Sequence, residues 1–154
     1  MNFLEQLTAE WYAFQGFFVS TNIHFGKRDR GGWDGEMDVV VIDPKTKTLT
    51  HVETSSDANS WDERVEYMQK KFKNAAAHYN SVIGFDFEKV VKIAVVSLSK
   101  PKKPVAFGND IELVIIPDFI AQITKAMKKR DPVNDAIPET YPLLRAIQFA
   151  ARWG

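Results

Sequence analysis

The sequence predicts an α/β fold with a mixed central sheet. Two apolar strands flank a short polar loop near residue 46, an amphipathic helix follows them, and strands and helices then alternate. A hairpin followed by alternating strands and helices is typical of this fold class. No internal repeat or low-complexity tract interrupts the pattern.

The opening elements follow from periodicity and from turn signals. An apolar helical pattern predicts a first helix from about Phe3 to Phe14, which ends at Gly16, and a strand from Phe17 to Phe25 follows. The runs Met37 to Asp43 and Leu49 to Ser55 predict two antiparallel strands of one hairpin.

The helix after the hairpin has the clearest local signals. Ser60-Trp61-Asp62-Glu63 is a capping box at its start. An apolar stripe at helical spacing then predicts a face directed at the core, formed by Trp61, Val65, Met68, Phe72, Ala75 and Tyr79. The later predicted elements are strands at Val90 to Leu98 and Ile111 to Ile116 and helices at Asp118 to Lys129 and Glu139 to Arg152.

Length and composition predict one domain, residues 1–154, with a core over about residues 3–116 and C-terminal helices over 117–154. The chain has 154 residues, of which 45% are hydrophobic and 26% charged, which suits one core. The absence of cysteine excludes disulfides, thiolate zinc sites and a cysteine nucleophile. No apolar run has the length of a bilayer span, so we expect a cytoplasmic protein.

Two acids in the hairpin predict a metal site. Side chains alternate along a strand, so Asp38 shares a face with Val40, and Glu53 shares a face with His51. Asp38 and Glu53 can therefore lie across from each other. Two adjacent carboxylates repel unless a cation, a proton or a basic side chain lies between them. Mg²⁺ suits such a site because it binds through one or two carboxylates plus water and phosphate.

This pattern resembles the PD-(D/E)XK nuclease superfamily, which has the restriction-endonuclease-like fold with an αβββαβ core. That family carries an acid on the first helix, an Asp on a strand and a hydrophobic-Glu-x-Lys run on the next strand. Here Glu10, Asp38 and the run Val52 to Ser55 stand at these positions. Two residues depart from the pattern: Ser55 replaces the lysine, and Met37 stands where the family has proline.

The resemblance implies a nuclease that hydrolyses phosphodiester bonds with Mg²⁺ or Mn²⁺, held by Glu10, Asp38 and Glu53. In the family the lysine orients and activates the attacking water, and Ser55 cannot supply its charge. We expect Lys71 to replace it from the next helix, where it lies beside the apolar stripe while Lys70 points away. The alternative is that Lys71 is an ordinary surface lysine. The candidate helpers are Ser55, Arg64, Gln69 and His51; a lone strand histidine is otherwise a buried, hydrogen-bonded residue.

The net charge of the chain is zero, so a nucleic-acid partner has to be predicted from the local distribution of basic residues. Lys27, Arg28 and Arg30 lie in a glycine-rich segment just before the Asp38 strand, and they predict contacts with nucleic acid, DNA in particular. The last helix either closes the core or pairs with a second copy in a homodimer. Two alternatives remain: a catalytically inactive module of the same fold that binds nucleic acid or a protein, and an unrelated α/β domain.

Overall fold

The computed structural model describes residues 1–108 and 110–154, and it confirms the predicted α/β fold with a mixed sheet. The order of its elements contains the expected αβββαβ core. The elements are α1 (Phe3–Phe14), β1 (Phe18–Lys27), β2 (Trp33–Asp43), β3 (Thr48–Ser55), α2 (Trp61–Ala76), α3 (Tyr79–Val82), β4 (Lys89–Val96), β5 (Ile111–Ile115), α4 (Ile116–Lys128) and α5 (Pro142–Trp153).

The five strands lie in sequence order, β1-β2-β3-β4-β5. The first three pair antiparallel through hairpins. Strand β4 pairs parallel to β3, with α2 and α3 in the connection between them, and β5 pairs parallel to β4. Along β2, Val39 and Val41 pack under α1, α4 and α5, and Val40 packs under α2 and α3. The sheet therefore has two covered sides, which we call the α1 face and the α2 face.

The α1 face contains the largest apolar cluster. Leu4 and Leu7 of α1 pack there with Val39 of β2, Ile123 of α4 and Leu144 of α5, all of them buried. The Asn2 side chain accepts hydrogen bonds from the amides of Leu4 and Glu5 at 2.9 Å, which explains why the helix begins at residue 3. The two C-terminal helices thus complete the core of this face.

Helix α2 begins where the sequence predicts, with the Ser60 hydroxyl accepting from the Glu63 amide at 3.3 Å. It ends at Ala76, so the prediction of one continuous helix to Tyr79 is wrong. Tyr79 starts the short helix α3 and still packs on the sheet. Periodicity missed the break because the apolar stripe continues across it.

The glycine-rich segment is shorter as a loop than the sequence suggests. Strand β1 runs to Lys27 and β2 begins at Trp33, so the hairpin tip is confined to residues 28–32. Gly35 permits close approach of the strands, because a Cβ atom there would lie 2.5 Å from the Phe25 ring.

The longest helix of the described residues has 16 residues, and among them no helix is both long and apolar enough to cross a bilayer.

Candidate functional site

The site lies on the α2 face, where β2 and β3 separate. Their ladder ends at the pair Val39 and Val52, while β3 stays paired with β4 as far as Ser55 and Val96. Asp38 occupies the gap: its Oδ2 accepts a hydrogen bond from the Thr54 amide at 3.0 Å. The Asp38 amide in turn donates to Glu53 Oε1 at 3.3 Å. The structure therefore brings the two predicted acids together.

Lys71 of α2 reaches both acids. Its Nζ lies 3.1 Å from Asp38 Oδ1 and forms an ion pair with Glu53 Oε2. Lys70, one position earlier, is exposed to solvent and forms no ion pair with any described residue. The helix phase thus places one lysine of this adjacent pair between the carboxylates and turns the other away.

Glu53 is held from its other side by two fully or nearly fully buried aromatic residues. His51 Nε2 lies 2.5 Å from Glu53 Oε1, and His51 Nδ1 lies 2.6 Å from the Tyr79 hydroxyl. Burial lowers the pKa of His51 to about 3, so the ring is neutral and carries one N–H. Because a carboxylate accepts only, His51 Nε2–H donates to Glu53, and Nδ1 accepts from the Tyr79 O–H.

The resulting network of polar contacts runs from Tyr79 through His51 to Glu53, then to Lys71 and Asp38. Its surroundings disfavour the charged form of the two acids. Burial, followed by the Glu53 carboxylate, raises the pKa of Asp38 to about 6. Burial also raises the pKa of Glu53. Burial alone would lower the pKa of Lys71, but the two carboxylates outweigh it and raise that pKa, so the ammonium stays charged.

The cluster opens to solvent through a cleft of about 350 Å³ between the β1–β2 hairpin and α2. Asp38 and Lys71 line it, together with Asp34 and Glu36 of β2 and with Tyr67 and Asn74 of α2. Glu53 and His51 lie behind them with no exposed surface. The site is therefore a buried polar network with one accessible side.

Glu10 requires a correction, because the structure does not bring it to the other two acids. It lies on α1, which covers the opposite face of the sheet. Both of its carboxylate oxygens accept the Leu143 amide, at 3.0 and 3.1 Å, at the start of α5. Burial raises the pKa of Glu10 despite these bonds. Glu10 is a helix cap supplied by another helix, and its first-helix position alone suggested a ligand.

Three of the candidate helpers also lie apart from the acids. Ser55 donates to the Asp57 carboxylate. Arg64 is buried, donates to Asp57 Oδ1 at 3.2 Å and to the Asn59 carbonyl at 3.0 Å, and lies over the Trp61 ring. These two residues fix the loop between β3 and α2. Gln69 is exposed on the other flank of α2, whereas His51 does contact Glu53.

The three basic candidates, Lys27, Arg28 and Arg30, are exposed at the hairpin tip. Arg28 Nε contacts Asp34 Oδ1 at 2.9 Å, and Arg28 lines a second cavity that adjoins the cleft. The hairpin thus places at least one cation beside the route to Asp38.

A divalent ion would find two carboxylates here. No group of three histidine, aspartate or glutamate side chains within residues 1–108 and 110–154 is arranged to hold a metal. Asp38 and Glu53 nevertheless direct one oxygen each at a single cation, the Lys71 ammonium. Two carboxylates with remaining positions for water and phosphate suit Mg²⁺, so these residues fit the ion.

Sequence reasoning missed two members of the network. Tyr79 was assigned to the apolar stripe, although its hydroxyl needs a partner once the ring is buried. The Thr54 amide has no side-chain signature at all. The available signal was that Tyr79 ends the predicted apolar stripe beside which Lys71 lies.

Comparison with known proteins adds support for the fold only. No family model and no curated protein matches the chain. Among solved structures, the crystal structure of AF1548, a protein of unknown function, is similar over 97% of this chain and 95% of its own, with a TM-score of 0.51 and 13% identity.

Proposed function

We propose that this protein is a metal-dependent nuclease that hydrolyses phosphodiester bonds of nucleic acid. The observation that carries the proposal is the convergence of Asp38, Glu53 and Lys71 at the end of a solvent-accessible cleft. Two acids and a lysine are the parts that the PD-(D/E)XK pattern requires. Here the lysine comes from helix α2 and not from the Ser55 position.

Asp38 and Glu53 are the residues that would hold Mg²⁺ or Mn²⁺. When bound, such an ion supplies a polarised water and charge stabilisation at the phosphate. The chain fixes both ligands in advance: the Thr54 amide orients Asp38, and His51 orients Glu53. Holding the ligands in one geometry lowers the cost of binding the ion.

Lys71 has an electrostatic role in this proposal. Its pKa is raised by the two acids, so it stays an ammonium and acts as a charge and hydrogen-bond donor and not as a base. Because Lys71 also lines the cleft, its charge faces the position of an incoming phosphate. Lys70 cannot do this, since it points to solvent on the far side of the helix.

Nucleic acid as the partner, DNA in particular, belongs to the same proposal, as do a cytoplasmic location and a homodimer. The support for the partner is the exposed cationic hairpin tip, with Lys27, Arg28 and Arg30 beside the cleft. Phosphate contacts of this kind position a substrate without reading its sequence.

The test has two parts. Calorimetry with Mn²⁺ should show binding to the parent and none to Asp38→Asn. Labelled single-stranded, double-stranded and branched DNA and RNA, incubated with Mg²⁺ or Mn²⁺, should be cut by the parent only. Equal Mn²⁺ binding by both proteins, or an intact substrate in every parent reaction, would refute the nuclease.

The second candidate function is a module of the same fold that binds nucleic acid or a protein without cutting. One observation favours it: the Lys71 ammonium already pairs with both acids, and Ser55 is engaged with Asp57. An inactive parent that still binds nucleic acid, with affinity unchanged by Mn²⁺, would favour this module over the enzyme.

A further inference from the structure

The accessible side of the site extends into a longer groove. The cleft beside Asp38 shares Phe25, Asp34 and Asn74 with a second cavity of about 390 Å³, which Arg28, Lys73 and His78 also line. We call the two together the hairpin groove. It runs between the β1–β2 hairpin and α2 and ends at the two acids.

One wall of the groove carries an exposed aromatic ring. Tyr67, 54% exposed, is one turn before Lys71 on α2 and lines the same cleft as Asp38. Buried aromatic rings of this protein pack on the sheet, whereas this one faces solvent beside a polar site. An exposed aromatic ring next to a phosphate-binding position is suited to stacking on an unpaired base.

The charges of the groove argue against a duplex. Asp34 is paired with Arg28, and Glu36 is contacted by His24 at 3.0 Å and by Asn22 at 2.6 Å. Lys73 lines the groove and makes no ion pair in the part of the chain that the structure describes. Duplex DNA carries about one charge per 1.7 Å and depends on many cations for affinity. The basic residues that line the groove are Arg28, Lys71 and Lys73, which are few for a duplex.

The length of the groove also favours a single strand over a duplex. Along α2 the groove extends from Tyr67 to the C-cap residue Ala77, and ten helical residues rise only about 15 Å. A turn of B-form duplex is roughly 34 Å long. The wall therefore matches a few nucleotides of one strand better than a helical turn of two.

We propose that the hairpin groove binds single-stranded nucleic acid, with one base stacked on Tyr67 and the adjoining phosphate directed at Lys71. This inference rests on the proposed nuclease function for the role of the phosphate, but binding itself is separable from cleavage. It also selects one substrate class among the single-stranded, double-stranded and branched forms.

Fluorescence anisotropy in EDTA tests it, because no cleavage occurs there. The probes are a short labelled single-stranded DNA, an RNA of the same sequence and the blunt DNA duplex. The parent should bind at least one single-stranded probe about 10-fold more tightly than the duplex, since only unpaired bases offer a face to Tyr67.

Variants locate the effect. Tyr67→Ala should weaken single-strand binding by about 5-fold or more, Tyr67→Phe should retain it, and Lys70→Ala on the same helix should leave it unchanged. Asn74→Trp, which fills the groove without altering Tyr67, should also weaken it. Circular dichroism confirms that each variant is folded.

Duplex binding as tight as single-strand binding, or full single-strand affinity in either Tyr67→Ala or Asn74→Trp, would overturn the inference. These outcomes are distinct from failure of the nuclease. A protein that cuts DNA but prefers duplex refutes only the groove. A protein that binds single strands through Tyr67 but never cuts refutes only the nuclease.

Discussion

The two faces of the sheet both bury polar side chains, but they satisfy them differently. On the α1 face, Glu10 caps α5, and Gln148 accepts from the Ile137 amide at 2.9 Å while its amide group donates to two carbonyls. On the α2 face, two acids share one lysine, and burial raises the pKa of both acids.

This difference separates structural polar groups from a candidate site. Glu10 and Gln148 bond to backbone groups at helix ends and turns, where their partners are fixed and uncharged. Asp38 and Glu53 repel each other beside an open cleft, and the single positive charge of Lys71 lies between the two carboxylates. An acid whose pKa is strongly raised by burial and by a second carboxylate, and which lines a cleft, is a candidate for a functional site.

The largest expected effect comes from removing one acid of the α2 face. Glu53→Ala should lower the cleavage rate by about 1,000-fold or more, because the site loses one of its two proposed metal ligands. Glu53→Gln should be equally inactive while keeping the volume and the acceptor for His51. The assay is cleavage under single-turnover conditions. Rates within a factor of ten of the parent would remove Glu53 from the chemistry.

Lys71 gives the next effect. Lys71→Ala should lower the rate by about 100-fold, as expected when a charged donor at the developing phosphate charge is lost. Lys70→Ala is the matched control and should change the rate little. Ser55→Lys in the Lys71→Ala background should restore part of the rate if the two positions serve one role. Similar rates for Lys70→Ala and Lys71→Ala would show that Lys71 does not take the role of the family's lysine.

Asp38 predicts a stability effect that depends on pH. Its folded pKa of about 6 exceeds the ordinary aspartate value of 3.8, so the folded state binds the proton more tightly than the unfolded state. The stability that Asp38 contributes is therefore highest below pH 4 and is lost as the pH rises through 6. Asn mimics the protonated acid and avoids this loss.

At pH 8 the free energy of unfolding of Asp38→Asn should accordingly exceed that of the parent by about 1–3 kcal/mol. The difference should vanish near pH 4. Urea denaturation in EDTA at both pH values measures it. The lowered pKa of His51 acts with the opposite sign, but only below the ordinary histidine value of 6.5, so the comparison at pH 8 is free of it. A gain that is independent of pH would contradict the raised pKa.

Tyr79 should have a smaller effect on the same network. Tyr79→Phe removes the donor to His51 Nδ1 and leaves the ring packing in place. Loss of a group that orients a metal ligand through its neighbour typically costs about 10-fold in affinity or rate. Mn²⁺ calorimetry measures the affinity, and His51→Gln, which still donates to Glu53, should retain more of it than His51→Ala. Unchanged Mn²⁺ affinity in Tyr79→Phe would show that the functional hydrogen-bond network ends at His51.

Glu10 completes the contrast from the α1 face. Glu10→Ala should destabilise the protein by about 1 kcal/mol, because the Leu143 amide at the start of α5 loses its acceptor. The midpoint temperature of thermal unfolding should fall by roughly 2–4 °C for a chain of this size. Cleavage and Mn²⁺ binding should not change. A loss of Mn²⁺ binding in a folded Glu10→Ala variant would return Glu10 to the set of metal ligands.

Much of the fold was predictable because its signals are local. The apolar helical pattern of α1, the capping box at Ser60 and the polar loop between β2 and β3 each fix an element boundary within a few residues. The pairing of Asp38 with Glu53 followed from strand alternation and hairpin register, and the position of Lys71 followed from helix phase.

The sequence by itself determined the order of elements, the two acids and the lysine that can reach them, since alternation and helical phase act over a few residues. Only the tertiary structure decided that Glu10 caps α5, that Arg64 and Ser55 hold a loop, and that Tyr79 supports His51. Glu10 and Leu143 are 133 residues apart in the chain, and His51 and Tyr79 are 28 apart. Such contacts depend on how segments that are distant in the sequence pack together, α1 with α5 on one face of the sheet and α3 with β3 on the other. No local pattern encodes them.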